Sequence, residues 1–354
     1  MAKELLKGNV AAAEAACRAG MNFFAGYPIT PSTEILEYLS HRLPELGRTF
    51  IQGENEIATI NMVMGAAACG GRCLTASSGP GISLKASGYS YAAENCLPFV
   101  VINVQRWGCG LGSLLSGQSD YFRDVKGGGH GDFHHIVYAP TDIQELVDMT
   151  YNAFDIAEKY RCGVTILSEA LLGQMMESVE LPPFKEREVP LDWGIDGTGK
   201  VGLKLTPPPK RSGDYFARRE PAYIEIEATL QQWDAVETAD AEHVIVAFGL
   251  PSRVCRDAVK TLRAEGIKAG LIVPKTLYPY PFDAFKALPE GVKSFLSVET
   301  NHIGMMVEDV ALASRKAKQF APVYCMNYGP GIPRTTEVCA YVKNIIAGTV
   351  KERF

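Results

Sequence analysis

The run Phe99–Val104 reads FVVINV. A strand with almost no polar face must be covered on both sides, and the layout that achieves this is a parallel sheet layered between helices. The surrounding chain repeats that design. Residues 5–20 carry a helical period ended by Gly20, and Asn22–Gly26 reads as a short strand. Further strands are expected at Thr49–Gln52, Arg72–Ala76, His135–Tyr138 and Gly163–Leu167, with helices at 34–42, 54–69, 82–94 and 141–160. Strand–helix alternation at this spacing predicts a doubly wound α/β domain over residues 1–180.

From Pro182 to Ala241 the periodicity fails. Pro207-Pro208-Pro209, the basic pair Lys210-Arg211 and a polar, helix-like stretch around Arg219–Asp240 read as a connector, placed at 181–241. A second α/β unit is expected over 242–354. Its strands are read at His243–Phe248, Lys268–Val273, Ser294–Glu299 and Ala321–Met326, its helices at Ser252–Ala264 and Gly304–Ala317.

Composition excludes several classes. Thirty-five basic against forty acidic side chains, with no block of five like charges, predicts neither a nucleic-acid groove nor a polybasic membrane anchor. No run approaches the roughly 18 to 20 apolar residues of a membrane span. The start MAKELLKGNVAAAEAA reads as an amphipathic helix and lacks the form of a signal peptide, so the cytoplasm is expected. The nine cysteines contain no C-x₂-C pair and no spacing suited to an iron–sulfur cluster or zinc. They are expected to be reduced and mostly buried, with no metal site on this chain and any electron chain on another polypeptide.

Three segments carry chemistry. In Tyr27-Pro28-Ile29-Thr30-Pro31-Ser32-Thr33, two prolines flank Thr30 and stiffen a loop at the C-terminal end of a strand, where open α/β sheets bind ligands. Ser32 or Thr33 is expected to cap the next helix. Gly53-Glu54-Asn55-Glu56 joins a strand to an apolar helix, which sets at least one carboxylate against an apolar face, the condition for proton chemistry. Gln105-Arg106-Trp107-Gly108-Cys109-Gly110 follows the buried strand and offers an arginine fork suited to a carboxylate. The continuation through Gly117–Phe122 and Gly127–Asp132 is long for a connector and reads as an active-site loop. His130, His134 and His135 are expected to be exposed or packed on the sheet. Ser77-Ser78-Gly79-Pro80-Gly81 lacks both the Walker ending and the dinucleotide fingerprint, so neither ATP nor NAD is inferred.

Together, GYPITPST at 26–33, GENEIA at 53–58, TASSGPGISL at 75–84, VQRWGCGLG at 104–112, SGQSDYFRDVKGGGHGDF at 116–133, KTLYPYPFDAF at 275–285 and VETNHIGMMVEDV at 298–310 resemble the alpha subunits of 2-oxoacid:ferredoxin oxidoreductases. The 116–133 stretch is particularly similar to the 2-oxoisovalerate branch. The resemblance implies a pyrimidine-binding domain of the thiamine-enzyme kind, followed by a domain like the C-terminal domain of transketolases. It implies half of a thiamine diphosphate site, with diphosphate and Mg²⁺ held mainly by a beta subunit. Gamma and ferredoxin-like delta subunits would carry iron–sulfur clusters, coenzyme A would be a substrate, and ferredoxin or flavodoxin would accept electrons.

On the same resemblance, Glu56 touches the aminopyrimidine and favours its imino tautomer, which removes the thiazolium C2 proton. Thr30 and Arg106 would hold the substrate carboxylate and oxygen, and Pro28 would shape the cofactor surface. Trp107 departs from the glycine common in related subunits and is expected to reshape the acyl pocket. Neither Gly131-Asp132 nor Gly213-Asp214 continues into a diphosphate motif, in keeping with a divided enzyme. A branched-chain 2-oxoacid is expected first and 2-oxoglutarate second. A noncatalytic assembly subunit is the reading from a different class, and a self-sufficient thiamine decarboxylase lacks its diphosphate motif.

Overall fold

A computed structural model describes residues 3–198 and 210–354. In chain order the first elements are β1 (Lys3–Lys7), α1 (Gly8–Arg18), β2 (Phe23–Gly26), α2 (Thr33–Glu45), β3 (Thr49–Gln52), α3 (Glu56–Ala68), β4 (Cys73–Ser77), α4 (Gly79–Glu94) and β5 (Phe99–Gln105). A long segment with one turn of π-helix at Phe122–Lys126 leads to β6 (Ile136–Tyr138), α5 (Ile143–Tyr160), β7 (Gly163–Glu169), α6 (Ala170–Gln174) and β8 (Met176–Glu180). Then follow α7 (Lys210–Thr229), β9 (Trp233–Val236), β10 (His243–Val246), α8 (Leu250–Ala264), β11 (Ala269–Pro274) and β12 (Thr276–Tyr278). The chain closes with α9 (Phe282–Lys286), β13 (Ser294–Glu299), α10 (Met306–Lys316), β14 (Val323–Asn327) and α11 (Thr335–Ile346).

The seven-stranded sheet has the order β12-β6-β7-β5-β4-β2-β3, parallel throughout except for the β12–β6 edge. Every residue of β5 is buried, as its apolar run requires. One face is covered by α1, α2 and α5, the other by α3 and α4. Helix starts follow their caps: Asn55 Oδ1 accepts from the Ala58 N–H (2.9 Å), and Asp142 Oδ1 from the Glu145 N–H (2.8 Å). The second sheet, β14-β13-β10-β11-β9, is parallel apart from β9.

Several local expectations are corrected. Residues 5–7 are not helical: Lys3–Lys7 pairs antiparallel with Met176–Glu180, and the helix starts at Gly8, which lies so close to the Leu172 carbonyl that a Cβ would meet its oxygen at 2.1 Å. Nor is α1 amphipathic. Its alanines are fully buried, and Glu14 is buried beside Arg18, Arg42 and Tyr38. Ser32 does not cap α2 with its side chain, because its hydroxyl donates to the Ile29 carbonyl (2.8 Å). β9, inside the segment read as a connector, pairs antiparallel with β11. Helix α7 bears Arg219, whose buried guanidinium donates to the carbonyls of Tyr160 and Arg161. The Pro207-Pro208-Pro209 run and the side chains of Lys210, Arg211 and Asp214 lie outside the described residues.

Candidate active site

The first sheet changes direction at β2. The chain runs from β2 outward to β3, then returns through α3 to β4 on the other side. The crevice beyond the C-terminal ends of β2 and β4 is therefore the topological switch point, the usual ligand position in such sheets. Around it stand the loop after β2, the N-terminus of α3, the N-terminus of α4 and the loop after β5.

Glu56 is the first residue of α3 and is 5% exposed, whereas Glu54 stands outside the helix and is exposed. Among the described residues no hydrogen bond reaches the Glu56 carboxylate. Its placement depends on Gly81 in the first turn of α4: a Cβ there would lie 2.4 Å from Glu56 Oε1 and 2.3 Å from Ser77 Oγ. The helix N-terminus favours its negative charge, but a buried carboxylate without donors calls for a ligand that supplies one. The hydroxyls of Ser77 and Ser78, at the end of β4, are likewise buried without partners.

Arg106 is buried at the end of β5, and its guanidinium donates to the carbonyls of Thr30 and Leu111, both at 2.7 Å. It thus ties the loop after β2 to the loop after its own strand. Its Nε has no partner, and a Cβ on Gly79 would lie 3.2 Å from that nitrogen. Thr30 and Pro28 are exposed at the rim. The contact with Arg106 uses the carbonyl of Thr30, which leaves the Thr30 hydroxyl toward solvent. Thr30, Arg106, Gly79, Gly81 and Glu56 therefore surround one crevice.

The sequence reading gave no site role to three members of this group. Ser77-Ser78-Gly79-Pro80-Gly81, set aside as a phosphate loop, forms the wall between Glu56 and Arg106. Gln105 is fully buried, and both atoms of its amide lack partners. Lys85, on α4, is fully buried and donates to Thr59 Oγ1. Burial pushes its ammonium down to about 7, against an opposing pull from the Glu56 charge. A lone lysine in the small and apolar stretch ISLKASGYSYAA was the available signal.

The segment after Arg106 serves the domain seam more than the crevice. Gln118 donates to the Phe248 carbonyl (2.9 Å) and Glu169 (3.1 Å), and accepts from the Thr300 N–H (3.1 Å). Tyr121 and Lys126 both bond Asp309 on α10. Asn103 donates to Asp120 (3.0 Å) and Asp124 (2.6 Å), and burial raises the Asp124 carboxyl to about 6 against the opposing pull of Arg123. The Trp107 ring is seated on Gly117 and on Gly329 of the second sheet's domain, where a Cβ would meet Cζ3 at 2.2 Å. Its bulk is taken up at the seam. His130 is exposed, His134 stacks on Tyr278 with centroids 4.0 Å apart, and His135 packs among Tyr89, Phe99 and Phe133. Six of the nine cysteines are buried. Among the described residues, no group of three or more His, Cys, Asp or Glu side chains is placed to hold a metal ion.

The family model described as "Pyruvate flavodoxin/ferredoxin oxidoreductase, thiamine diP-bdg" matches residues 14–235, and "Pyruvate:ferredoxin oxidoreductase core domain II" matches 241–332. The ketoisovalerate oxidoreductase subunit VorB of Methanothermobacter thermautotrophicus is 44% identical over 89% of this chain and 90% of its own length. The chain belongs to the 2-oxoacid:ferredoxin oxidoreductase family. A second member, the 2-oxoglutarate synthase subunit KorA of Methanocaldococcus jannaschii, is 34% identical over 90% of this chain and 94% of its own. The structure of the 2-oxoglutarate:ferredoxin oxidoreductase of Magnetococcus marinus, with 2-oxoglutarate, coenzyme A and succinyl-CoA bound, superposes with a TM-score of 0.84 at 26% identity. It matches 97% of this chain, which spans 65% of that longer one. A split-gene transketolase in an inactive tetramer shares the fold, with a TM-score of 0.59 at 14% identity over 97% of this chain and 98% of its own. The family membership and two-part α/β architecture expected from the motifs are therefore established. Among the described residues no helix is long and apolar enough to cross a membrane.

Proposed function

We propose that this chain is the alpha-type subunit of a cytoplasmic 2-oxoacid:ferredoxin oxidoreductase that converts a branched-chain 2-oxoacid, 2-oxoisovalerate first, to acyl-CoA and CO₂. The observation that carries the reading is Glu56, a buried carboxylate with no donor at the switch point of the sheet. Its surroundings fit an aminopyrimidine: a ring nitrogen bearing a proton would give the carboxylate the hydrogen bond it lacks. Ser77 and Ser78 would offer hydroxyls beside it, and Pro28 an apolar edge.

When bound, thiamine diphosphate supplies an electron sink for cleavage of the bond between the 2-oxo carbon and the carboxylate. Glu56 holds and moves the proton at the ring nitrogen, a general acid–base role. Arg106 fixes the loop that presents Thr30, and its free Nε and the Thr30 hydroxyl receive the substrate carboxylate. The cations built into this crevice, Arg106 and Lys85, are both buried and bonded to this chain's own oxygens. Both are buried, so neither reaches out to a second carboxylate, which favours an aliphatic acyl chain over 2-oxoglutarate.

The rim supports a divided site. Leu111 is 82% exposed and Ile57 52%, with Leu84, Tyr91, Leu114 and Leu115 also open on the same loop and helices. An apolar rim of this kind marks a protein contact. A beta subunit seated there would bring diphosphate and Mg²⁺, while gamma and delta subunits would carry the iron–sulfur path to ferredoxin or flavodoxin.

Reconstitution with the partner subunits tests the reading. The expected order of kcat/KM places 2-oxoisovalerate above 2-oxoglutarate, pyruvate and indolepyruvate, and Glu56→Gln lowers kcat by roughly 100-fold or more. Wild-type turnover by the Glu56→Gln complex would leave only an assembly role. Full viologen reduction by the isolated chain would defeat the divided site.

A further inference from the structure

We propose that Lys85 is a positioning residue for Glu56: linked to the first turn of α3 through Thr59, it is the internal counter-cation that holds Glu56 toward the cofactor's pyrimidine. This inference rests on the reading of Glu56 given above.

Two helices built in register carry it. On α3, Glu56 and Thr59 are separated by one turn, and the Thr59 hydroxyl donates to the Glu56 carbonyl (2.9 Å). On α4, Gly81 and Lys85 are likewise one turn apart. Gly81 faces the Glu56 carboxylate, and Lys85 reaches the Thr59 hydroxyl. The pairs Glu56–Gly81 and Thr59–Lys85 are therefore successive points of one helix–helix contact. An ammonium has three donors, and only the bond to Thr59 is made among the described residues.

Full burial of a cation with a single hydroxyl partner is unfavourable, and methionine or leucine would fill the slot without that cost. The compensating charge is Glu56. It is the charged group acting on Lys85 from the packed elements, since β4 and β5 beneath present no charged side chain and Glu94 lies at the far, exposed end of α4. Gain or loss of the Lys85 proton therefore switches this counter-charge on or off. Burial places the lysine's own titration at about 7, so this exchange falls within the physiological range.

The decisive measurement is a pH titration of the full chain carrying isotopically labelled lysine, followed by nuclear magnetic resonance. One lysine is expected to titrate near 7, well below the ordinary lysine value of 10.5. In Glu56→Gln that signal should move to lower pH, because the charge that stabilises the ammonium is gone. The signal is recognised by that response, so the result does not require Lys85→Met to fold. Where Lys85→Met folds, the signal disappears, and in the reconstituted complex the acidic limb of the kcat/KM profile shifts while Lys85→Arg retains more of it. A Lys85 signal near 10.5, or one indifferent to Glu56→Gln, would overturn the proposal. Failure of the cofactor role is separately visible, as full turnover by the Glu56→Gln complex.

Discussion

At the residue scale, the crevice depends on what Gly81 leaves out. Added as alanine, its Cβ would press on Glu56 Oε1 and Ser77 Oγ, both ends of flexible side chains. The fold can absorb that, since alanine also suits a helix interior, but the carboxylate cannot keep its place. Gly81→Ala is therefore expected to leave the melting temperature of the chain nearly unchanged and to weaken thiamine diphosphate binding by the complex at least tenfold, as calorimetry would read. An unchanged affinity would mean that Glu56 tolerates displacement. The choice of Glu56 over Glu54 came from the family likeness, in the position before Ile57-Ala58, whereas the residues alone said only that at least one of the two carboxylates meets an apolar face. The sequence could not expose Lys85, because the residue that justifies a buried ammonium sits on another helix.

Elements set the level at which these side chains meet. α3 begins at Glu56 because Asn55 caps it, its side chain accepting from the Ala58 N–H. Asn55→Ala should cost about 1 kcal/mol of stability in a denaturant titration. It should also lower turnover of the complex beyond that loss, since a frayed first turn releases Glu56. Equal stability to wild type would show that the cap is redundant. Elements with a clear pattern were legible: β5, α5 and the second sheet's β10, β11, β13 and β14 fall within two residues of their sequence patterns. Four short strands were not. β1, β8, β9 and β12 are three to five residues long, and each exists by pairing with a segment distant in sequence.

Across the whole molecule, the two sheets are joined by motifs that sequence reading assigned to function or to family likeness. β12, from KTLYPYPF, extends the first sheet, and Lys275 before it bonds Thr141 and Glu145. Glu299 gathers donors from Ser297, Asn301 and the first N–H groups of α10, which turns VETNHIGMM into a helix cap. Glu169, at the end of β7, accepts from the Leu250 N–H (2.9 Å) and Gln118, so one domain caps a helix of the other. Burial raises this carboxyl from 4.5 to about 7. Between those values the folded chain holds a proton that the unfolded chain releases, so its contribution is full below 4.5 and lost as pH rises through 7. Relative to Glu169→Gln, which lacks the titration, the wild type should lose up to about 3 kcal/mol from pH 5 to pH 8. Parallel stability curves for the two proteins would place Glu169 in a wetter setting.

The sequence by itself determined the α/β class, the order of the long strands and helices, and the three loops that meet at the crevice. Those features are written locally, in apolar runs, helical periods and turn residues. Tertiary structure decided which of those loops stay at the crevice and which become the domain seam. The 116–126 segment resembles an active-site loop in composition, but its side chains find partners on α10 and β7 that no local pattern announces. Tertiary structure also decided that Glu56 and Lys85 share one helix–helix contact, because the approach of α3 and α4 is set by glycines such as Gly81 and Gly88 on the second helix.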